Sequence, residues 1–361
     1  MRVEQLDTPA LLVDLDLMEA NIAALMGQLL PTGVRVRPHL KTAKSPDVAR
    51  LLLEAGAHGC CAAKLGEAEV LADAGIGDLL LTSEIAGAPK LARLAALHRR
   101  CPQLRVVVDS AEGAHLLNAA CAGSPHPLEV LIDLDLGQNR CGVPPGEPAL
   151  ALARALADLP DLRLVGVQGY EGHLQHIADP AEKEHRVVEA MRQLAGTADL
   201  LRDAGFVIDT VTAGGTGTCL ICARQPGVTE VQPGSFAFMD LAYRRALGPS
   251  SYAHALVVLS TVISLPAPGR AVVDAGLKAL ATDMGNAAPR DLPGVSYRPA
   301  GDEHGILEWD PATPVALALG QHVALIPGHI DPTINLFDEY QVHRNGEIVT
   351  VWPVTARGRG Q

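Results

Sequence analysis

The length, composition and charge of this chain favour a well-packed globular protein and exclude several classes of function. It has 361 residues, of which 48% are hydrophobic and 19% charged, so it can build one large domain or two ordinary ones. Aromatic residues make up only 3% and the formal net charge is −12, which argues against nucleic acid and anionic membranes as partners. Acidic residues interrupt the N-terminal region and no apolar run reaches about 20 residues, so we expect a cytoplasmic protein.

Short apolar runs alternate with amphipathic helical patterns through the first two thirds of the chain. The opening TPALLVDLDLMEANIAALMGQLL predicts a strand followed by a helix. Helical patterns such as residues 45–57 and 180–205 separate most of the strand candidates that follow, which lie at 34–40, 59–65, 78–85, 104–110, 128–137, 162–173, 209–218 and 230–239. Eight such repeats predict a parallel (β/α)8 barrel of the TIM type, with an open doubly wound sheet as the alternative.

After about residue 250 the pattern changes to β-rich segments with Pro and Gly turns and no helical period. Asn345-Gly346 between two such segments is a strong signal for a hairpin turn. We therefore predict an all-β domain over residues 246–361 and the barrel over residues 26–245. Residues 1–25 form a strand and helix lead-in that we expect to associate partly with the β domain.

Polar residues follow several of the predicted barrel strands. Lys41 follows the first strand in RVRPHLKTAKS, Arg140 follows the fifth, and Tyr170 and His176 follow the sixth. Active sites of (β/α)8 barrels lie where the carboxyl ends of the strands meet. These side chains are therefore predicted to converge on one site.

The stretch AGGTGT, residues 213–218, follows the seventh predicted strand. A glycine-rich turn of backbone N–H groups suits a phosphate, and phosphate sites on barrels recur after strands seven and eight. A lysine at one rim and a phosphate site at the other would suit pyridoxal 5′-phosphate (PLP), whose aldehyde a lysine amine can bind. The spacing alone equally allows a lysine that acts directly on a sugar phosphate.

A possible metal site lies in the β-rich part, in IPGHIDPTINLFDEY. If this segment is a strand, His329 and Asp331 at positions i and i+2 point to one face. An imidazole and a carboxylate suit a divalent cation, either Mn²⁺, Mg²⁺ or Zn²⁺.

Seven stretches of the chain carry a family resemblance. They are TPALLVDLD, RPHLKTAKSP, AAKLGEAEVLADAGIGDLLL, DLGQNRCGV, AGGTGT, QPGSFAFMD and GHIDPTINLFDEY. In this order, along nearly the whole chain, they resemble the D-threonine aldolase and D-serine dehydratase group, a branch of the alanine-racemase-like PLP enzymes of fold type III. The resemblance favours PLP as the cofactor and implies a barrel followed by an all-β domain.

The resemblance implies roles for individual residues of the barrel. Lys41 matches the lysine that bears PLP, and Arg140 resembles the arginine that contacts the cofactor ring. Tyr170 is similar to a tyrosine that lines the cofactor pocket, and His176 to the histidine that serves as base in the aldolases. The group usually has histidine at the position of Ala43. The alanine of this chain therefore removes one polar neighbour that Lys41 could have had.

Two further sets of residues match binding motifs of the group. The first matches the turns that bind the cofactor's phosphate and consists of Gly215, Thr216, Gly217, Gly234 and Ser235. His329 and Asp331 match the metal pair, with Mn²⁺ as the expected ion and Mg²⁺ or Zn²⁺ as alternatives. Dehydratases of the group tend to carry cysteine where Asp331 stands, so the aspartate resembles the aldolase version.

The function that the resemblance implies is retro-aldol cleavage of D-3-hydroxy-amino acids, such as D-threonine to glycine and acetaldehyde. A 3-hydroxy-D-aspartate aldolase, a D-serine or 3-hydroxyaspartate dehydratase, and a PLP-binding protein without turnover are the alternatives. The expected partner is a small amino acid substrate, and the resemblance implies a homodimer.

Overall fold

The structure is a computed structural model that describes residues 1–249 and 251–361. These residues divide into two compact units. One unit comprises Met1–Ala24, Thr42–Ser45 and Ser235–Gly358, and the other comprises Leu25–Lys41, Pro46–Gly234 and Arg359–Gln361. The chain opens with strand β1 (Ala10–Asp14) and helix α1 (Leu15–Leu29).

The second unit contains an eight-stranded parallel sheet whose strands alternate with helices along the chain, as the sequence pattern predicts. The strands are β2 (Arg35–Val36), β3 (Cys60–Ala62), β4 (Leu79–Leu81), β5 (Arg105–Val108), β6 (Leu128–Leu134), β7 (Leu162–Gly169), β8 (Thr210–Ala213) and β9 (Glu230–Val231). The helices are α2 (Pro46–Glu54), α3 (Leu65–Asp73), α4 (Ala88–Arg100), α5 (Ala111–Cys121), α6 (Glu147–Ala157), α7 (Pro180–Asp203) and α8 (Cys219–Cys222). Each predicted strand position holds one of these strands, which confirms the predicted fold class.

Backbone hydrogen bonds join the two edges of this sheet, which are β2 and β3. The chain just after β2 pairs with β3 in parallel at His39 and Cys61. The Cys61 N–H donates to the Pro38 carbonyl at 2.8 Å, and the Leu40 N–H donates to the Cys61 carbonyl at 2.9 Å. The sheet therefore closes on itself, and the alternative of an open doubly wound sheet is wrong.

Local chemistry explains where several of the helices begin. The Asp179 carboxylate accepts the Glu182 N–H at 2.7 Å, and a proline follows it in the first turn of α7. The Ser110 hydroxyl accepts the Gly113 N–H at 3.2 Å at the start of α5. At the start of α3 the Glu67 carboxylate accepts the N–H groups of the two residues that precede the helix. Such caps fix the point at which each loop after a strand gives way to its helix.

The first unit is built on a mainly antiparallel sheet. Its further elements are α9 (Leu241–Leu247), β10 (Leu256–Ala267), β11 (Arg270–Val273), β12 (Ala288–Pro289), β13 (Ser296–Pro299), β14 (Gly305–Glu308), β15 (His322–Ile326), α10 (Ile330–Ile334), β16 (Glu339–Arg344) and β17 (Glu347–Pro353). The main path runs β13-β14-β11-β10-β1-β16-β17, and β15 pairs with both β10 and β12. Asn345 and Gly346 have φ of 49° and 78° and form the turn between β16 and β17, as the sequence predicts.

Among the described residues, no helix combines the length and the apolar character that crossing a bilayer requires.

Candidate active site

Lys41 follows the paired segment that closes the barrel, so its position is fixed by backbone bonds on both neighbouring strands. It is half-buried, and its Nζ lies 5.6 Å from the centroid of the Tyr170 ring. A cation at this distance from an aromatic face is attracted by the ring. The structure therefore brings the first and the sixth of the predicted strand ends together.

Arg140 approaches the same tyrosine, with its Cζ 5.7 Å from the Tyr170 ring centroid. The loop that carries Arg140 is held by Asp135, whose carboxylate accepts the N–H groups of Gly137 at 2.9 Å and Asn139 at 3.0 Å. Two cations on one aromatic ring, at the carboxyl ends of barrel strands, form a site suited to an anionic, planar ligand.

The glycine-rich turn after β8 is buried and densely hydrogen-bonded. The Gly215 N–H donates to the Thr218 hydroxyl at 3.2 Å, and the Gly217 N–H donates to Gln175 Oε1 at 2.9 Å. Sequence reasoning did not single out Gln175, because burial of a polar residue in a loop leaves no periodic signal. These two glycine N–H groups thus bond within the chain, and the predicted contacts of both glycines to a phosphate remain predictions.

The other residues of the predicted phosphate turns are also well ordered by hydrogen bonds. In the barrel unit, the Gly234 N–H donates to Thr216 Oγ1 at 3.3 Å. In the β unit, Ser235 is buried and its Oγ lies 3.4 Å from Thr42 Oγ1. β9 ends at Val231, eight residues before the end of the predicted strand position, and Ser235 begins a short 3-10 helix.

His176 lies in the segment between β7 and α7 and is exposed. His173, which precedes it by one turn, is also exposed and lies close to Gly137, where an added Cβ would be 3.4 Å from His173 Nε2. The assignment of His176 as the base remains a prediction.

Asp133, at the end of β6, is a buried carboxyl that sequence reasoning did not identify. Gln168 Nε2 donates to Asp133 Oδ1 at 2.9 Å. Burial raises the pKa of Asp133 to about 7, and the neighbouring Glu84 adds to this effect while Arg140 opposes it. The barrel therefore holds a carboxyl that changes its charge near neutral pH.

The predicted metal pair lies in the β unit, but not on a strand. His329 precedes α10 with φ −144° and ψ 123°, and Asp331 lies in the first turn of that helix. The prediction that a strand aligns the two side chains is wrong, because β15 ends at Ile326 and the Asp240 carboxylate accepts the Ile330 N–H at 3.1 Å, which starts the helix.

Each of the two side chains nevertheless has a polar neighbour in the β unit. His329 Nδ1 lies 2.7 Å from Asp283 Oδ2, and Asp331 Oδ1 lies 3.4 Å from Ser235 Oγ. Because a carboxylate accepts, the bond to Asp283 places a proton on Nδ1 and directs the lone pair of Nε2 away from Asp283. A histidine oriented by a carboxylate, with an aspartate two positions on, fits the donor set of a divalent cation.

Comparisons with known proteins identify relatives of this chain. Residues 13–242 match the family model of the alanine racemase N-terminal domain, and residues 255–343 match a putative serine dehydratase domain. The chain is 39% identical to D-threonine aldolase of Arthrobacter sp. over 356 residues, covering 98% of this chain and 93% of the relative. It is 36% identical to 3-hydroxy-D-aspartate aldolase of Paracoccus denitrificans (strain Pd 1222), covering 100% of this chain and 94% of the relative.

Solved structures are also similar to nearly the whole of this chain. The crystal structure of D-threonine aldolase from Filomicrobium marinum has a TM-score of 0.95 and 39% identity, covering 99% of this chain and 97% of that one. D-threo-3-hydroxyaspartate dehydratase from Delftia sp. HT23 has a TM-score of 0.89 and 33% identity, covering 98% of each chain. A solved variant with the name D-threo-3-hydroxyaspartate dehydratase replaces a cysteine by alanine and is in the metal-free form.

Proposed function

This chain belongs to the family of the alanine racemase N-terminal domain, and we propose that it is a carbon–carbon lyase that cleaves D-3-hydroxy-amino acids with PLP and a divalent metal ion. The reaction we propose for D-threonine is retro-aldol cleavage to glycine and acetaldehyde. The observation that carries the proposal is the convergence of Lys41 and Arg140 on the Tyr170 ring. The similarity to a D-threonine aldolase over nearly the whole of both chains supports it.

The residues of the barrel fit PLP. Lys41 would hold the cofactor through its amine, Tyr170 would line the pocket, and Arg140 would face the ring. When bound, PLP withdraws electrons and so stabilises the negative charge left on Cα when the Cα–Cβ bond breaks. His176 is proposed as the base, whose imidazole accepts the proton of the substrate's β-hydroxyl.

The residues of the β unit fit a metal ion. His329 through Nε2 and Asp331 through its carboxylate would hold the ion, with Mn²⁺ as the first choice and Mg²⁺ or Zn²⁺ as alternatives. A bound divalent cation lowers the pKa of a hydroxyl that it contacts and so supports deprotonation. Asp283 would keep the His329 ring in place.

Asp331 favours cleavage over dehydration. Solved variants named D-threo-3-hydroxyaspartate dehydratase replace a histidine and, two positions further on, a cysteine, which is the spacing of His329 and Asp331. A thiolate is a softer ligand that selects zinc, whereas a carboxylate also accommodates Mn²⁺ or Mg²⁺. A preference for 3-hydroxy-D-aspartate is the second candidate, because the Paracoccus aldolase is 36% identical to this chain. The homodimer and the cytoplasmic location stay predictions.

Product analysis tests the proposed function. The purified protein with PLP and Mn²⁺ is given D-threonine, L-threonine and D-3-hydroxyaspartate separately, and the aldehyde and 2-oxo-acid products are measured. We expect an aldehyde from D isomers only, and its loss after chelation of the metal. Lys41→Ala should lower the rate by at least about a thousandfold, since the amine that holds the cofactor is gone.

Two control variants make this test specific. Lys64→Ala removes an exposed lysine that follows the neighbouring strand β3 and should keep the activity. Asp338→Ala removes an exposed aspartate of the β unit and should respond to chelation as the unaltered protein does. A 2-oxo acid as the main product would show dehydration, and equal cleavage of L-threonine would refute the proposed specificity.

A further inference from the structure

A buried polar network lies against the glycine-rich turn in the barrel unit. Its members are Glu171, Gln175, Thr218 and Cys222, each at most 1% exposed. Glu171 directly follows Tyr170 in the chain, so one loop after β7 supplies both the aromatic ring of the site and the start of this network. The proposed reaction uses none of these four side chains, although a buried carboxylate is costly unless it is hydrogen-bonded.

The network is hydrogen-bonded throughout. Gln175 Nε2 donates to Glu171 Oε1 at 3.0 Å and lies 2.8 Å from the Thr218 hydroxyl. The Thr218 hydroxyl in turn donates to the Glu171 carboxylate by a short bond. Glu171 therefore ties together two side chains from different loops.

The same side chains accept N–H groups of the glycine-rich turn. The Gly214 N–H donates to Glu171 Oε2 at 3.3 Å, the Gly215 N–H to Thr218 Oγ1 at 3.2 Å, and the Gly217 N–H to Gln175 Oε1 at 2.9 Å. Three of the turn's backbone donors thus point into the network, which fixes the conformation of the turn.

Close packing of the turn against Gln175 requires glycine at positions 215 and 217. A Cβ on Gly215 would lie 2.7 Å from Gln175 Oε1, and a Cβ on Gly217 would lie 2.3 Å from the Gln175 backbone oxygen. The two glycines therefore let the turn approach the backbone and the side chain of Gln175. The turn and Gln175 are therefore complementary in shape.

We propose that Glu171 and Gln175 are positioning residues that hold turn 213–218 in the shape that receives the cofactor's phosphate group. The inference rests on the proposed function, because it requires PLP as the ligand. The network acts only through the turn, so it should affect ligands that carry a phosphate and leave the ring and aldehyde contacts unchanged.

Binding of PLP and of pyridoxal, which lacks the phosphate, separates this role from a general loss of structure. Both dissociation constants are measured by absorbance titration of the full chain after removal of cofactor. Gln175→Leu removes the acceptor of the Gly217 N–H while keeping most of the volume. We expect PLP to bind about tenfold to a hundredfold more weakly and pyridoxal to bind within about twofold of the unaltered protein.

Thr197→Val is the matched control. The Thr197 hydroxyl is also buried in the barrel unit and also accepts a glycine N–H, that of Gly146 at 3.0 Å, but it belongs to α7 rather than to the network. This variant should keep the ratio of the two dissociation constants even if its stability falls. The exchange Glu171→Gln with Gln175→Glu retains one amide and one carboxylate, and we expect it to recover part of the lost PLP affinity.

Thr218→Val serves if Gln175→Leu does not fold, because it has nearly the same shape and removes the acceptor of the Gly215 N–H. An unchanged ratio of dissociation constants in the folded variants would overturn the positioning role and leave the proposed function intact. Failure of the unaltered protein to bind PLP more tightly than pyridoxal would overturn both proposals.

Discussion

At the scale of the single residue, Asp133 shows how burial sets a charge inside the barrel. Its carboxyl is 6% exposed and receives a hydrogen bond from Gln168 Nε2. Burial, with Glu84 nearby, raises its pKa from 3.8 to about 7. The folded protein therefore retains a proton between these two values that the unfolded chain releases, and its stability falls as the pH rises through this range.

Replacing Asp133 by asparagine should remove this dependence. Asparagine keeps an oxygen that can accept from Gln168 and carries no charge at any pH. The free energy of unfolding of Asp133→Asn, minus that of the unaltered protein, should rise by about 2 kcal/mol as the pH increases from 5 to 8. Urea denaturation at both pH values measures the difference. Asp158→Asn, at an exposed position, is the control, and a gain of equal size there would contradict the assignment to Asp133.

At the scale of the element, Arg37 links parts of the barrel by charges as well as by backbone bonds. Arg37 follows β2, and its Nε lies 3.0 Å from Glu230 Oε2 in β9, with both side chains 1% exposed. Arg37 Nη1 also lies 2.7 Å from Asp78 Oδ1, just before β4. A Cβ on Gly59 would lie 2.2 Å from Arg37 Nη1, so glycine is required beside this arginine.

Removing the arginine should destabilise the barrel while leaving the candidate site intact. Arg37→Met leaves the buried Glu230 with only the more distant Arg35, whose Nε lies 3.7 Å from Glu230 Oε2, and should lower the free energy of unfolding by about 3 kcal/mol. Adding Glu230→Met should recover part of this loss, since the buried carboxylate that lost its nearer cation is gone. The two carboxylates that bind Arg37 lie at the amino ends of their strands, Glu230 as the first residue of β9 and Asp78 just before β4, so the folded fraction should keep its specific activity.

An ion pair with an exposed arginine provides the comparison. Arg163, whose side chain is 61% exposed, pairs with Glu129 on the same sheet. Arg163→Ala should change the free energy of unfolding by less than about 1 kcal/mol. Chemical denaturation of the unaltered protein, Arg37→Met, the double variant with Glu230→Met and Arg163→Ala measures all these effects. A loss of similar size for Arg37→Met and Arg163→Ala would refute the role of burial.

The elements also show how far the sequence could predict this molecule. The barrel strands were predictable because runs such as Leu79–Leu81 are apolar throughout and helical patterns separate them. The start of α10 was not predictable, because the Ile330 N–H bonds to a carboxylate 90 positions earlier in the chain. Local periodicity does not reveal a contact between residues so far apart in the sequence. The burial of Glu171 and Gln175 likewise depends on a turn more than 40 positions further on.

At the scale of the whole molecule, the residues proposed to hold PLP and those proposed to hold the metal ion belong to different units. Lys41, Arg140 and Tyr170 belong to the barrel unit, whereas His329 and Asp331 belong to the β unit. A ligand that binds only the folded state stabilises it by an amount that depends on its concentration and affinity. Thermal unfolding can therefore report on each proposed ligand without any measurement of activity.

We expect PLP and Mn²⁺ each to raise the midpoint of thermal unfolding, and different variants to abolish the two shifts. At about 100 times its dissociation constant a ligand adds about 2.7 kcal/mol to the free energy of unfolding, which calorimetry resolves. Lys41→Ala should diminish the PLP shift and keep the Mn²⁺ shift, because the amine that holds the cofactor lies in the barrel unit. His329→Ala should abolish the Mn²⁺ shift and keep the PLP shift. Loss of the Mn²⁺ shift in Lys41→Ala, or its persistence in His329→Ala, would show that the ion binds elsewhere than at the pair we propose.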